Sequence, residues 1–105
     1  MDARDFELDF HLDTPEVDDG LRLEAEDRLR RLATGHQDMI GASVATEHVA
    51  PYEYRARVVV YMRPENVTAE ERNDSAETAL RSAVHSIERQ VRSQRERRRE
   101  FWRRS

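Results

Sequence analysis

The 105-residue sequence contains no cysteine, which excludes a disulfide framework and any thiolate nucleophile or metal ligand. Lysine is absent as well: all 18 basic residues are arginine. Codon bias in a GC-rich genome, with selection for an acidic, salt-tolerant surface, accounts for that absence without invoking a function. Only three glycines occur, with no glycine-rich phosphate loop among them. No apolar run approaches the roughly 18 residues that a membrane-spanning helix needs. The N-terminus carries Asp2, Asp5, Glu7 and Asp9, the reverse of the basic start of a signal peptide. The expected location is the cytoplasm.

Charge is what the sequence has in abundance. Charged residues make up 38% and apolar residues 37%, so the core must be economical, and the length predicts one thin two-layer domain. The net charge of −4 is divided unevenly. From Arg89 to Ser105 eight arginines face Glu96 and Glu100, a local balance of +6, which leaves −10 on residues 1–88. Clustered arginine beside an acidic body suits an anionic partner.

Hydrophobic periodicity predicts the elements. Phe6, Leu8, Phe10 and Leu12 alternate with polar residues, so 5–12 reads as a half-buried strand, followed by a turn-rich connector over 13–17. Asp18 is placed to cap a helix whose stripe is Leu21, Ala25, Leu29 and Leu32 and which ends near Gly35. Leu23 lies on the opposite side and reads as an isolated exposed leucine. Residues 41–48 form a weak strand and Tyr54 to Met62 the strongest one, with Ala56, Val58, Val60 and Met62 on one face. Asn66 to Glu71 reads as a short edge strand of poor strand chemistry. Ser75 is placed to cap a second helix with the stripe Ala76, Leu80, Ala83, Val84, Ile87 and Val91. Gln94, Arg95 and Arg98 follow on the same face and cannot enter an apolar core unpaired. The predicted fold is α+β, a two-layer β-α-β-β-β-α sandwich with a four-stranded mixed sheet and two helices on one face. Residues 1–91 form the domain, and 92–105 a basic extension of its second helix.

Catalytic chemistry finds little support. His11, His36, His48 and His85 sit on different elements with no ligand-pair spacing, and a metal site needs three or four convergent ligands. Glu24, Glu26 and Asp27 read as a solvated face rather than a desolvated acid–base pair. Ser43 and Ser82 lack an elbow motif. No catalytic residue, metal, cofactor or small-molecule substrate is expected, and the chain reads as a binding protein, a monomer. Arg22, Arg28 and Arg31 flank the first helical stripe, while Arg81, Arg89, Arg92, Arg95, Arg97, Arg98 and Arg99 line the second helix and its extension. If the helices lie side by side, these guanidiniums border a groove that would follow a sugar–phosphate backbone. The competing reading is a solubilising face of pairs three or four apart: Glu24–Arg28, Asp27–Arg31, Glu77–Arg81, Glu88–Arg92 and Glu96–Arg99. Two acids cannot neutralise the terminal arginine run. For Phe101 and Trp102 the sequence leaves three readings open: stacking on bases, packing back on the domain, or disorder.

Two stretches carry a resemblance to a known family. Asp18-Asp19-Gly20-Leu21-Arg22 through Ala25, Arg28-Leu29 and Arg31-Leu32 is one. Ser75 through Thr78-Ala79-Leu80, Ile87-Glu88-Arg89-Gln90-Val91 and the arginine run is the other. Together with the element order, they resemble the ribosome hibernation-promoting factor and ribosome-associated inhibitor family, in its short form. The resemblance implies docking in the decoding region of the small ribosomal subunit, where basic residues of both helices hold ribosomal RNA while messenger and transfer RNA are excluded. By position it implies such a role for Arg22, Arg28, Arg31, Arg89, Arg95, Arg97 and Arg99. The chain departs from the family at Leu12-Asp13, where a glycine turn is usual, and at Glu77, where an aromatic is usual. An acidic protein partner for the basic arm is the alternative from another class.

Overall fold

The computed structural model describes residues 6–104, with side chains described through Gln94 and at Glu96. The order is β1 (Glu7–Leu12), α1 (Asp19–Thr34), β2 (Met39–Ala50), β3 (Glu53–Met62), β4 (Val67–Asn73) and α2 (Ala76–Arg104). The strands form one sheet in the order β1-β2-β3-β4; β1 pairs with β2 in parallel and the other pairs are antiparallel. This is the α+β, mixed-sheet architecture that the sequence predicts.

Strand alternation selects the buried face. Ala56, Val58 and Val60 on β3 are completely buried, and Val44 on β2 lies opposite Val58 in register. Leu21, Ala25, Leu29 and Leu32 of α1 and Leu80, Ala83, Val84, Ile87 and Val91 of α2 close this core from one side. Leu8, Phe10 and Leu12 pack against it only half-buried, as befits an edge strand. The opposite face, with Glu7, Asp9, Arg57 and Tyr61, is exposed.

Both predicted caps form. Asp18 accepts the Leu21 N–H through Oδ1 at 2.8 Å, and Ser75 Oγ accepts the Thr78 N–H at 3.2 Å. The connector before α1 is tied to β2 by the Thr14–Thr46 hydroxyl pair at 2.7 Å, both threonines being buried. Leu23 is exposed, as its place opposite the stripe predicts.

Three strand expectations change. The weak strand of 41–48 is the longest in the sheet, at 12 residues, because it lies between β1 and β3 and both of its backbone edges are paired. The doubtful segment of 66–71 is a seven-residue edge strand, in which Val67 and Ala69 are buried and Glu70 stands opposite Arg57. The strand expected over 5–12 runs from Glu7 to Leu12, and residue 5 lies outside the described residues.

At the other end, α2 runs 29 residues without a break. Among the described residues Val91 is its last buried apolar residue, and Gln94, one turn on, is half-buried with Oε1 enclosed and without a hydrogen-bond partner there. Contact with the domain therefore reaches one turn beyond the apolar stripe.

Candidate nucleic-acid interface

The two helices lie side by side, and the residues between them are charged. On α1, Glu24, Arg28 and Arg31 recur at spacings of four and three, which puts them on one face; on α2, Arg81, Glu88 and Arg92 do the same at seven and four. Two bidentate clamps cross the seam in opposite directions. Arg28 of α1 donates to Glu88 of α2 from Nε at 3.2 Å and from Nη2 at 2.6 Å. Arg81 of α2 donates to Glu24 of α1 from Nε at 2.9 Å and from Nη2 at 3.0 Å. Arg81 also donates to Glu77, one turn earlier on its own helix.

These contacts replace part of the intrahelical pattern. Asp27–Arg31 forms at 3.0 Å and Glu77–Arg81 forms, but Glu24 and Glu88 bond across the seam rather than to Arg28 and Arg92. The reason is tertiary: packing the two helices puts an opposite charge nearer than the one a turn away. The clamps also set the titration. The hydrogen bond from Arg81 holds the Glu24 carboxyl below the usual carboxylate range, with the charges of Arg81 and Arg28 acting in the same direction. The Glu88 hydrogen bond raises Arg28 further above its ordinary value, against partial burial.

Beyond the clamps, the seam opens into a pocket of about 370 Å³ lined by Arg28, Arg31, Leu32, Gly35, His36, Glu88 and Arg92. The Arg31 side chain is 79% exposed. Arg92 and Arg89 are exposed, and among the described residues neither has a hydrogen bond or ion pair. His36 donates from Nδ1 to the Leu32 carbonyl at 2.9 Å, which fixes its ring at the mouth.

Not every expected residue reaches this seam. Arg22 lies on the other side of α1, its guanidinium 5.1 Å from the centre of the Phe10 ring on β1. Arg30 follows on that side, bonded to Glu26 at 3.0 Å and to the Phe6 carbonyl at 3.4 Å. Arg28, Arg31, Arg81 and Arg92 are brought together at the seam, Arg28 and Arg81 clamped across it by carboxylates and Arg31 paired with Asp27 on its own helix, and Arg89 stands outside the pocket lining. The expectations for Arg95, Arg97, Arg98 and Arg99, and for Phe101 and Trp102, fall on side chains outside the described residues. Sequence reasoning missed Glu88 and Glu24 as cross-helix partners. Their unlike charges at matching places on two amphipathic helices were the available signal. No group of three or more potential metal ligands occurs among the described residues, and no helix there is long and apolar enough to cross a membrane.

Residues 9–99 match the family model described as sigma 54 modulation protein / S30EA ribosomal protein. The chain belongs to this family. The S30EA match spans β1 to α2 and includes both sides of the charged seam. No curated protein sequence matches the chain significantly. Among solved structures, the N-terminal domain of Thermus thermophilus Protein Y is 28% identical with a TM-score of 0.61, over 87% of this chain and 96% of that one. A ribosomal subunit interface protein from Coxiella burnetii shares the fold at a TM-score of 0.71 and 13% identity, over 86% of this chain and 98% of that one.

Proposed function

We propose that this S30EA-family protein is a ribosome-associated hibernation factor. In this reading it binds, as a single copy in the cytoplasm, ribosomal RNA in the decoding region of the small subunit and excludes messenger and transfer RNA. Membership of the family supports ribosome association. The observation that carries the RNA reading is the pocket of about 370 Å³ at the α1–α2 seam, lined by the exposed Arg31 and Arg92. Positions 95 and 99 follow Arg92 at spacings of three and four, so the basic stripe continues along α2. Such a surface acts by binding rather than by catalysis: each arginine fork takes two phosphate oxygens and releases condensed counterion. Arg31 gives up little in turning to a phosphate, since its exposed pair with Asp27 is worth at most about 1 kcal/mol.

Sedimentation with purified small subunits tests the reading. The protein is expected to co-migrate, to be displaced by messenger RNA, and to be released by salt. Replacing both Arg31 and Arg92 by glutamine should lower the log–log salt slope by somewhat under two units, at roughly 0.7–0.9 per lost contact. Folding should change by no more than about 0.5 kcal/mol per site, as at exposed positions generally. Failure to bind small subunits, with salt-sensitive binding to an acidic protein instead, would transfer the basic arm to that partner class.

A further inference from the structure

We infer that Glu88 is an internal competitor for phosphate: its carboxylate fills the anion seat between the helices and so sets how tightly this chain holds RNA. The inference rests on the RNA reading above. The Glu88 side chain is 13% exposed, and both of its oxygens face the fork of Arg28, itself 29% exposed. A carboxylate bonded in this way occupies the two sites that two phosphate oxygens would take. The pocket around it belongs to an anion: Arg28, Arg31 and Arg92 line it against the single carboxylate of Glu88. His85 stands beside the same carboxylate, with Nδ1 4.0 Å from Oε1. RNA phosphate entering the pocket therefore meets Arg92 directly and Arg31 at the cost of its exposed pair with Asp27, but reaches Arg28 only by displacing the part-buried Glu88.

The other clamp has a different character. Glu24 and Arg81 do not line the pocket, and Arg81 is shared by two carboxylates, Glu24 and Glu77. That clamp joins the helices without guarding a seat. The two glutamates are thus a matched pair for experiment, alike in geometry and unlike in place.

Glu88→Gln removes the competing charge and leaves a side chain of the same size. Binding to purified small subunits should tighten roughly two- to tenfold, the net worth of one hydrogen-bonded contact. The log–log salt slope should steepen by about 0.7–0.9. Adding Arg28→Gln should abolish the gain, and Glu24→Gln should give none. Glu88→Asp, which keeps the charge but shortens its reach, should fall between wild type and Glu88→Gln and serves if the latter does not fold. A second arm needs no ribosome: inorganic phosphate should shift the Arg28 Nε–H resonance in Glu88→Gln and not in the wild type. Weaker or unchanged binding by folded Glu88→Gln would overturn the inference, because Glu88 would then position Arg28 for RNA or be irrelevant to it. Should the wild type fail to bind subunits while phosphate still shifts Arg28 in the variant, the RNA reading falls and the anion seat stands.

Discussion

Leu80 and Glu24 show how differently single residues can be read. Leu80 lies in an unbroken apolar stripe, and that stripe has one place to go: the residue is fully buried in the core shared by both helices and the sheet. Leu80→Ala should cost about 2–5 kcal/mol, the range for a buried leucine that leaves a cavity. A shift below about 1 kcal/mol in urea unfolding would show that α2 does not complete the core. Glu24 has neighbours three and four residues away on its own helix, yet its partner is Arg81, 57 residues on. Its lowered titration has a consequence for acid stability. A carboxyl depressed in the folded state stabilises the fold above its unfolded value, about 4.3, and that contribution is lost as the pH falls through the lowered folded value. Urea midpoints measured from about pH 6 to pH 2.5 should fall more steeply for the wild type than for Glu24→Gln, whose neutral amide does not titrate. Equal slopes would show that the Arg81 clamp does not persist in solution.

Elements were legible where one face is apolar and the other is not. The strand Glu53–Met62 and both helices announce themselves in this way, and their caps mark where the helices begin. The edge strand Val67–Asn73 does not, because Thr-Ala-Glu-Glu is extended only through its pairing with β3. Gly41 is a further case. A Cβ there would stand 2.9 Å from the Glu7 carbonyl oxygen, so close approach of β1 to β2 requires glycine, and nothing in the local pattern declares it. The end of α2 gives an element-scale prediction. Truncation after Arg92 keeps every buried apolar residue through Val91 and removes Gln94, whose enclosed Oε1 has no partner among the described residues. Losing an unsatisfied acceptor costs little, so thermal unfolding should be nearly unchanged while binding to small subunits weakens. Unfolding of the truncated protein would show that residues 93–105 are part of the domain.

Across the whole molecule, α2 sets the shape. Its 29 residues extend about 43 Å at 1.5 Å each, and the longest molecular axis is 52 Å. The C-terminal half of this helix, from Arg89 on, belongs to the segment with a local balance of +6, while the rest of the chain carries −10. The seam between the helices lies where these two regions meet. Acidic residues of the body reach arginines there before any outside partner does, which leaves the pocket with Arg31, Arg92 and the guarded Arg28. A strongly asymmetric charge can therefore coexist with an interface smaller than the number of arginines implies.

The sequence by itself determined the element order, the buried stripes, the caps and the concentration of arginine at one end. Each depends on neighbours within a few residues, where the helical and strand periods act directly. Tertiary structure alone decided the seven-residue strand β4, the need for glycine at position 41 and the division of the arginines. Arg22 went to the β1 side, Arg28 and Arg81 into clamps, and Arg31 and Arg92 to the mouth of the pocket. The reason is the reach of electrostatics and hydrogen bonds. A guanidinium bonds the nearest suitable carboxylate in space, and once two helices are packed that carboxylate lies on the other helix for Arg28 and one turn away for Arg30 and Arg31.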